Sequence, residues 1–308
     1  MVSRRQSLQF AGTAVLAALA GCSSGLVGTE SSPEHELHVD RITQDPVAFA
    51  LYDPPDGDLF GEPARAALDA ILPDGQYTTH GYEALQDGNY VEHDGRYYRT
   101  VTFVTGRAEL SRPVVRVSEV DREAVPDDAV LIDSLDQPSA RPLKILHSHA
   151  ITGGDSAASD LLRGDAYVMA RPTERDSRLA TELDGEVVTM TDDGAFAQRV
   201  EVRREQLTLT EHTVQAVEVA DSREVFRDVV LASVVDADLA TVSLSTDARD
   251  LLDEAISRGA YTETGELSSA FEALLAGLGF DPDESATGRI VWYGGSLFRA
   301  SFYAPAAN

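Results

Sequence analysis

The chain has one cysteine, Cys22, and one lysine, Lys144, in 308 residues. A single thiol cannot close an internal disulfide, so the disulfide-stapled class of secreted folds is excluded, as are zinc sites built on cysteine pairs. Long apolar runs are missing too. The best candidate, residues 8–21, covers 14 residues, about 21 Å as a helix against about 30 Å of hydrocarbon, and it is rich in Ala and Gly. No glycine-rich phosphate loop, dinucleotide fingerprint or HExxH pattern occurs, which argues against nucleotide use and against a helix-borne zinc protease. Positive charge is scarce: 25 basic residues stand against 52 acidic ones, a net charge of −27. Such a surface repels phosphate backbones and anionic lipid heads, so nucleic acid is not expected as a partner. The carboxylates are spread along the whole chain without an acidic tail, which points to a folded acidic protein and not a disordered segment.

The first residues present are an address. Ser3-Arg4-Arg5-Gln6-Ser7-Leu8-Gln9 places the pair Arg4 and Arg5 ahead of the apolar run. This resembles the twin-arginine export signal, with Ser7 where an aromatic residue is usual. Leu19-Ala20-Gly21-Cys22 resembles the lipoprotein processing box, in which small residues precede a cysteine that becomes the lipidated N-terminus. The resemblance implies export in the folded state, lipidation at Cys22 and residence on the extracytoplasmic face of the cell membrane. Stable anchoring takes about two lipid chains, and the resemblance implies the diether lipid usual in haloarchaeal lipoproteins, which would supply them. Residues 23–36 are small and polar and read as a flexible tether of about 20 Å root-mean-square span. The lysine-poor, acidic, Ala- and Val-rich composition is similar to that of extreme halophiles. In concentrated salt the Debye length is about 3 Å and self-repulsion is screened.

The body of the chain contains a repeat. Residues 64–81 (ARAALDAILPDGQYTTHG) and 248–265 (ARDLLDEAISRGAYTETG) agree at eight of 18 ungapped positions, where unrelated sequences give about one. Each copy reads as a helix, a Gly turn and a Tyr-Thr strand start, and each is followed by an aromatic hairpin at residues 94–103 and 294–303. Residues 82–85 and 271–274 suggest a second short helix in both copies. A weaker middle copy is visible near residues 183–200. Helix-plus-antiparallel-hairpin cassettes predict an α+β fold with helices on one side of antiparallel sheet. The expected organisation is a signal at 1–22, a tether at 23–36, a first module at 37–120, a degenerate middle module with an insertion at 121–220, and a last module at 221–308. This arrangement resembles uncharacterised secreted lipoprotein-type domains of haloarchaea, and that likeness carries no activity to transfer.

Candidate chemistry is sparse. Residues 143–151 read as a strand, on which His147 and His149 share a face and could hold one metal ion with Asp155 or Asp160 as third ligand; two half-buried strand histidines are the plainer alternative. His35 and His38 have HxxH spacing at the end of the tether. Gly154-Asp155-Ser156 suggests a nucleophile turn, but Ala158 replaces the closing glycine, and helix capping accounts for Asp155 and Ser156. Asp53, Asp56 and Asp58 read as solvated turn carboxylates, since their spacing does not fit a calcium loop. Arg99 and Arg299 occupy matching hairpin positions. They can bind a carboxylated or sugar ligand, or they can pair with the matched Asp69 and Asp253. No cofactor is expected. The leading expectation is a lipid-anchored, non-enzymatic binding or envelope-interaction module whose partners are the membrane, through Cys22, and an envelope protein or small ligand. A metal-dependent surface hydrolase centred on His147 and His149, and a transporter-associated substrate-binding lipoprotein, are the alternatives.

Overall fold

The computed structural model describes residues 34–154, 161–192, 194 and 196–305. Arg4, Arg5, Cys22, Asp155, Ser156 and Asp160 lie outside the described residues. The fold is α+β, with antiparallel pairing dominating two sheets. In chain order the elements are β1 (Glu34–Ile42), α1 (Pro46–Ala50), α2 (Gly61–Ile71), β2 (Gln76–His80), β3 (Tyr90–His93) and β4 (Arg96–Glu119). Then come β5 (Val130–Leu131), α3 (Gln137–Ile151), β6 (Leu162–Arg163), β7 (Ala166–Val168), α4 (Pro172–Arg175), α5 (Arg178–Thr181), β8 (Val187–Thr189) and β9 (Gln198–Ala220). The chain ends with α6 (Arg223–Ser233), β10 (Ala237–Asp238), α7 (Thr246–Arg258), β11 (Ala260–Thr264), α8 (Ser269–Leu278), β12 (Ala286–Tyr293) and β13 (Ser296–Tyr303).

Local chemistry accounts for the element boundaries. The side chains of Asp45, Ser222, Ser245 and Ser268 accept backbone N–H groups at the starts of α1, α6, α7 and α8, satisfying donors that have no partner inside the helix. The two cassette hairpins turn through Asp94-Gly95 and Gly294-Gly295, all four with positive φ. That is the twist a two-residue hairpin needs, and residues with short or no side chains tolerate it.

A single ribbon spans the middle of the molecule. β4 and β9 pair antiparallel from Tyr97↔Ala220 to Glu119↔Gln198, with irregularities near Tyr97 and Val104. At about 3.3 Å per residue, its 24 residues correspond to a contour of roughly 80 Å. Each of these strands reads in the sequence as two shorter ones, because the alternation weakens in the polar middle. At one end of the ribbon β2 pairs with β9 and β3 with β4, and α2 closes a core of Ala64, Ala67, Ile71, Leu85 and Val214. At the other end β7 joins β4 and β8 joins β9, over a core that includes Leu143, Leu146, Met169, Leu179 and Val200.

The second sheet has the order β10-β12-β13-β1-β11. Its four antiparallel strands, β12-β13-β1-β11, reproduce the local order β3-β4-β9-β2 of the first cassette, in the same register. Leu37 stands opposite Tyr261 as Val214 stands opposite Tyr77, and Asp40 opposite Arg299 as Val217 opposite Arg99. The parallel pairing of β10 with β12 has its counterpart in the parallel bridge Leu51↔Tyr90. The N-caps Asp45 and Ser222 fall at equal distances beyond β1 and β9. Each duplicated unit therefore begins with a strand that it lends to the other unit: β1 enters the last sheet, and β9 enters the first. The helices that follow the two lent strands, α1 and α6, pack together in a core containing Val47, Tyr97, Phe226 and Val230.

Several expectations are corrected. Residues 34–36 belong to β1 and not to the tether, and β1 lies in the sheet of the last module. Boundaries at 120 and 220 fall at the ends of β4 and β9, but β4 pairs with β9 across the first, and β1 pairs with β11 and β13 across the second. Residues 82–85 form no helix. There the Thr79 hydroxyl donates to the Tyr82 carbonyl, Thr100 Oγ1 to Gln86 O at 2.8 Å and Thr102 Oγ1 to Leu85 O at 3.0 Å. Side chains of the sheet thus take the carbonyls that a helix would use. Residues 143–151 are the last part of helix α3, not a strand. Ser139, Ala140, Leu143 and Leu146 are buried at helical spacing, a pattern masked in the sequence by Pro138 and Pro142.

Because Leu37 is fully buried in the core of α7, α8 and the last sheet, Leu37→Ala is expected to lower stability by about 2–5 kcal/mol. Hydrogen exchange should show protection lost first in β11–β13, far along the chain, with α2 and β3 less affected. Loss confined to α2 and β3 would overturn the strand exchange.

Candidate binding site

A grouping of charged and aromatic side chains lies where the first cassette meets the middle of the chain. β7 runs beside β4, and the Met169 N–H continues the ladder by bonding Pro113 O at 3.0 Å. The strand then stops at Arg171-Pro172, where proline starts α4. Glu174 reaches back to accept the Arg171 N–H at 3.0 Å, the reciprocal half of a capping box. This places a carboxylate with no solvent exposure at the centre of the group. A buried carboxylate requires donors, and Glu174 has them. The Tyr167 hydroxyl donates to it at 2.6 Å, and the guanidinium groups of Arg171 and Arg141 stand 3.8 and 3.9 Å away. Arg141 also donates to the Tyr167 oxygen at 2.8 Å. Burial, with the Glu174 charge second, raises the Tyr167 hydroxyl well above its ordinary range.

Two aromatic rings from the first cassette cover these arginines. Phe60, at the start of α2, lies 4.9 Å from Arg171 Cζ and 5.3 Å from Arg141 Cζ, and the Tyr82 ring lies 5.2 Å from Arg171 Cζ. Each such contact is worth about 0.5–2 kcal/mol, depending on how dry it is. Gly81 makes the approach possible. Its φ is +79°, and a Cβ there would stand 3.3 Å from the Ala170 Cβ, so a larger residue would be strained and would push the turn away from β7. Beyond Tyr82 lie Arg112 and Arg175. Arg175 Nη1 donates to Ala170 O at 3.2 Å, and Arg112 Nη1 to Ser111 O at 3.1 Å. Among the described residues neither makes an ion pair, and the buried Nε of Arg112 has no acceptor. Burial, then the charges of Arg175 and Arg204, lower the Arg112 guanidinium below its usual value. Glu205 is opposite Arg112 in the ladder but bonds Arg116 instead, at 2.7 Å. Glu174 thus holds Arg141 and Arg171, and Arg112 and Arg175 lie beyond Tyr82 without such a partner, in a chain where carboxylates outnumber basic groups 52 to 25.

The residues singled out from the sequence are not brought together. On helix α3, positions two apart point about 200° from each other, so the shared face expected for His147 and His149 does not exist. His147 packs edge-on against Phe196 at 5.4 Å, its Nδ1 buried without an acceptor, and burial lowers its pKa. His149 lies beside the turn at Gly154. His35 stacks near Phe302 and His38 bonds Glu36 at 2.9 Å. Asp53, Asp56 and Asp58 are exposed. Arg99 and Arg299 sit on separate sheets, and among the described residues neither pairs with Asp69 or Asp253. The Asp253 carboxylate bonds the Tyr293 hydroxyl, and Arg99 packs over Gly88.

An open hollow of about 540 Å³ runs along α3 past Asp133, Arg141 and Lys144, but its charges are already engaged, Lys144 with Asp133 at 3.3 Å. Sequence reading missed Arg171 and Glu174, although Arg-Pro-x-Glu is a legible helix-start pattern. Nothing in the sequence linked it to Phe60, Tyr82 or Arg112. No family model, curated protein or solved structure matches the chain.

Removing the Tyr167 hydroxyl tests the network. Tyr167→Phe is expected to cost about 1–3 kcal/mol at neutral pH. The pH dependence follows from the raised pKa. Above pH 10.0, the ordinary value for tyrosine, the unfolded chain releases a proton that the folded chain keeps, so stability falls as pH rises. The variant should lose less stability across that alkaline range than the parent, measured by denaturant unfolding from pH 8 to 11. An unchanged alkaline slope would place the tyrosine outside the network.

Proposed function

We propose that the protein is a membrane-held, extracytoplasmic binding module of halophilic type, anchored through a lipid on Cys22 and receiving a ligand at the seam of Phe60, Tyr82, Arg112, Arg171 and Arg175. The observation that carries the binding reading is the concentration of arginine at this seam. In a chain of net charge −27, the half-buried Arg112 and Arg175, which make no ion pair among the described residues, have donors to spare for an external acceptor. The export-like Arg4-Arg5 pair, the processing box and the single cysteine support the anchor. Among the described residues no helix is long and apolar enough to cross a membrane, and the proposed attachment needs none. The body begins at β1, a short stretch of chain after Cys22, which keeps the body close to the membrane surface.

The anchor is tested by fractionating cells that make the parent or Cys22→Ser. The parent is expected with the membranes and the variant in the soluble fraction; a variant that stays in the membrane fraction would overturn the lipid attachment. The halophilic part has its own measurement. The melting temperature is expected to fall as salt is lowered from molar to about 0.1 M, where screening lengthens from about 3 to about 10 Å; an unchanged value would count against it.

A further inference from the structure

We infer that Arg112 and Arg175, flanked by the Tyr82 ring, form a receptor for a small dianionic oxyanion of the phosphate type. This rests on the reading of the seam as the receiving surface and names its ligand class. The first argument is charge. The ladder that runs on from β7 through Met169 N–H to Pro113 O brings Ala170 beside Arg112, and Arg175 holds the Ala170 carbonyl, so the fold keeps two like-charged groups together; among the described residues no carboxylate pairs with either. An ion carrying two negative charges relieves both.

The second argument is geometry. Arg112 projects from the β4–β9 ribbon, on the face that carries Leu110, Val114, Leu207 and Leu209. Arg175 comes down on that face from α4, and Tyr82 from the turn after β2. Their guanidinium planes belong to different elements. A carboxylate presents two oxygens in one plane and suits one fork, whereas a tetrahedral oxyanion presents oxygens in several directions and serves two. The third argument is the supply of donors. Each guanidinium has five N–H groups, and a single hydrogen bond is seen for each. The buried Arg112 Nε is a donor that the fold leaves without an acceptor. Arg171, locked between Phe60, Tyr82 and Glu174, is a positioning residue that holds the aromatic wall.

The test is calorimetric titration of the full-length lipidated protein in detergent with inorganic phosphate, sulfate and acetate, at constant molar ionic strength in sodium chloride. Saturable binding is expected for phosphate or sulfate, with acetate at least tenfold weaker. Arg112→Gln and Arg175→Gln are each expected to weaken binding about tenfold or more, the loss of charge-assisted hydrogen bonds. Arg203→Gln, which removes an exposed guanidinium paired with Glu201, should leave it unchanged. No binding of either dianion by the parent, equal weakening in all three variants, or full binding by the Arg112→Gln/Arg175→Gln double variant would overturn the proposal. Should the double variant melt earlier than the parent, Arg175→Lys keeps the charge and removes the fork, and binding undiminished by that change would overturn it as well. The outcome is separable from that of the anchor: a protein that sits with the membranes but ignores oxyanions contradicts only the ligand class, and one that binds phosphate from the soluble fraction contradicts only the attachment.

Discussion

The pairing of β4 with β9 is the constraint on which the rest of the molecule depends. Both strands are longer than the sheets at either end, so each donates hydrogen bonds to two different groups of neighbours. β9 completes the first cassette with its second half and the middle core with its first. Backbone donors and acceptors buried in such a sheet must be matched. A shift of register at one end would therefore carry every side chain at the other end to the wrong face. The register irregularity between Val104 and Gly106 falls along the ribbon between the two cores it serves.

The exchange of β1 and β9 follows the same logic. In each unit the lent strand is the one between the hairpin and the Tyr-Thr strand, so it is paired on both sides. Buried Leu37 and Val39 fill the core of one sheet, and Val214 fills the core of the other. The units cannot separate without leaving both sheets with a central gap. Helices α1 and α6, which follow the two lent strands and pack on each other, close the junction with the stacked rings of Tyr97 and Phe226.

The seam is a consequence of this architecture. Tyr82 and Phe60 are carried by the first cassette, Arg141 by α3, Arg171 and Arg175 by α4, and Arg112 by the ribbon itself. The buried Glu174 carboxylate draws Tyr167 and two arginines around it, and the aromatic rings occupy the other sides of those arginines. Arg112 and Arg175 are what remains after the internal carboxylate has been satisfied. Electrostatic surplus of this kind arises from which residues are left over when partners are assigned, and so it belongs to the packing and not to composition, which points the opposite way.

Local features were legible from residues close together in the chain. The Asp94-Gly95 turn, the hairpin at 294–303 and the helix that became α7 carry their reasons within a few positions. The eight identities between residues 64–81 and 248–265 announced the duplication, because core and turn positions repeat when a backbone repeats. The match of β1 with the second half of β9 was not legible. It rests on burial and register, with little shared beyond Glu34-His35 and Glu211-His212, since many side chains can fill a strand position. His147 and His149 misled for a related reason: a short apolar run with a period near two does not separate strand from helix when prolines interrupt the longer pattern. By itself, then, the sequence determined the acidic surface, the single thiol, the duplicated cassettes and the α+β class, all properties of composition and short-range periodicity. Tertiary structure alone decided which strand joins which sheet and which arginines keep a carboxylate, because both depend on contacts between residues tens to hundreds of positions apart.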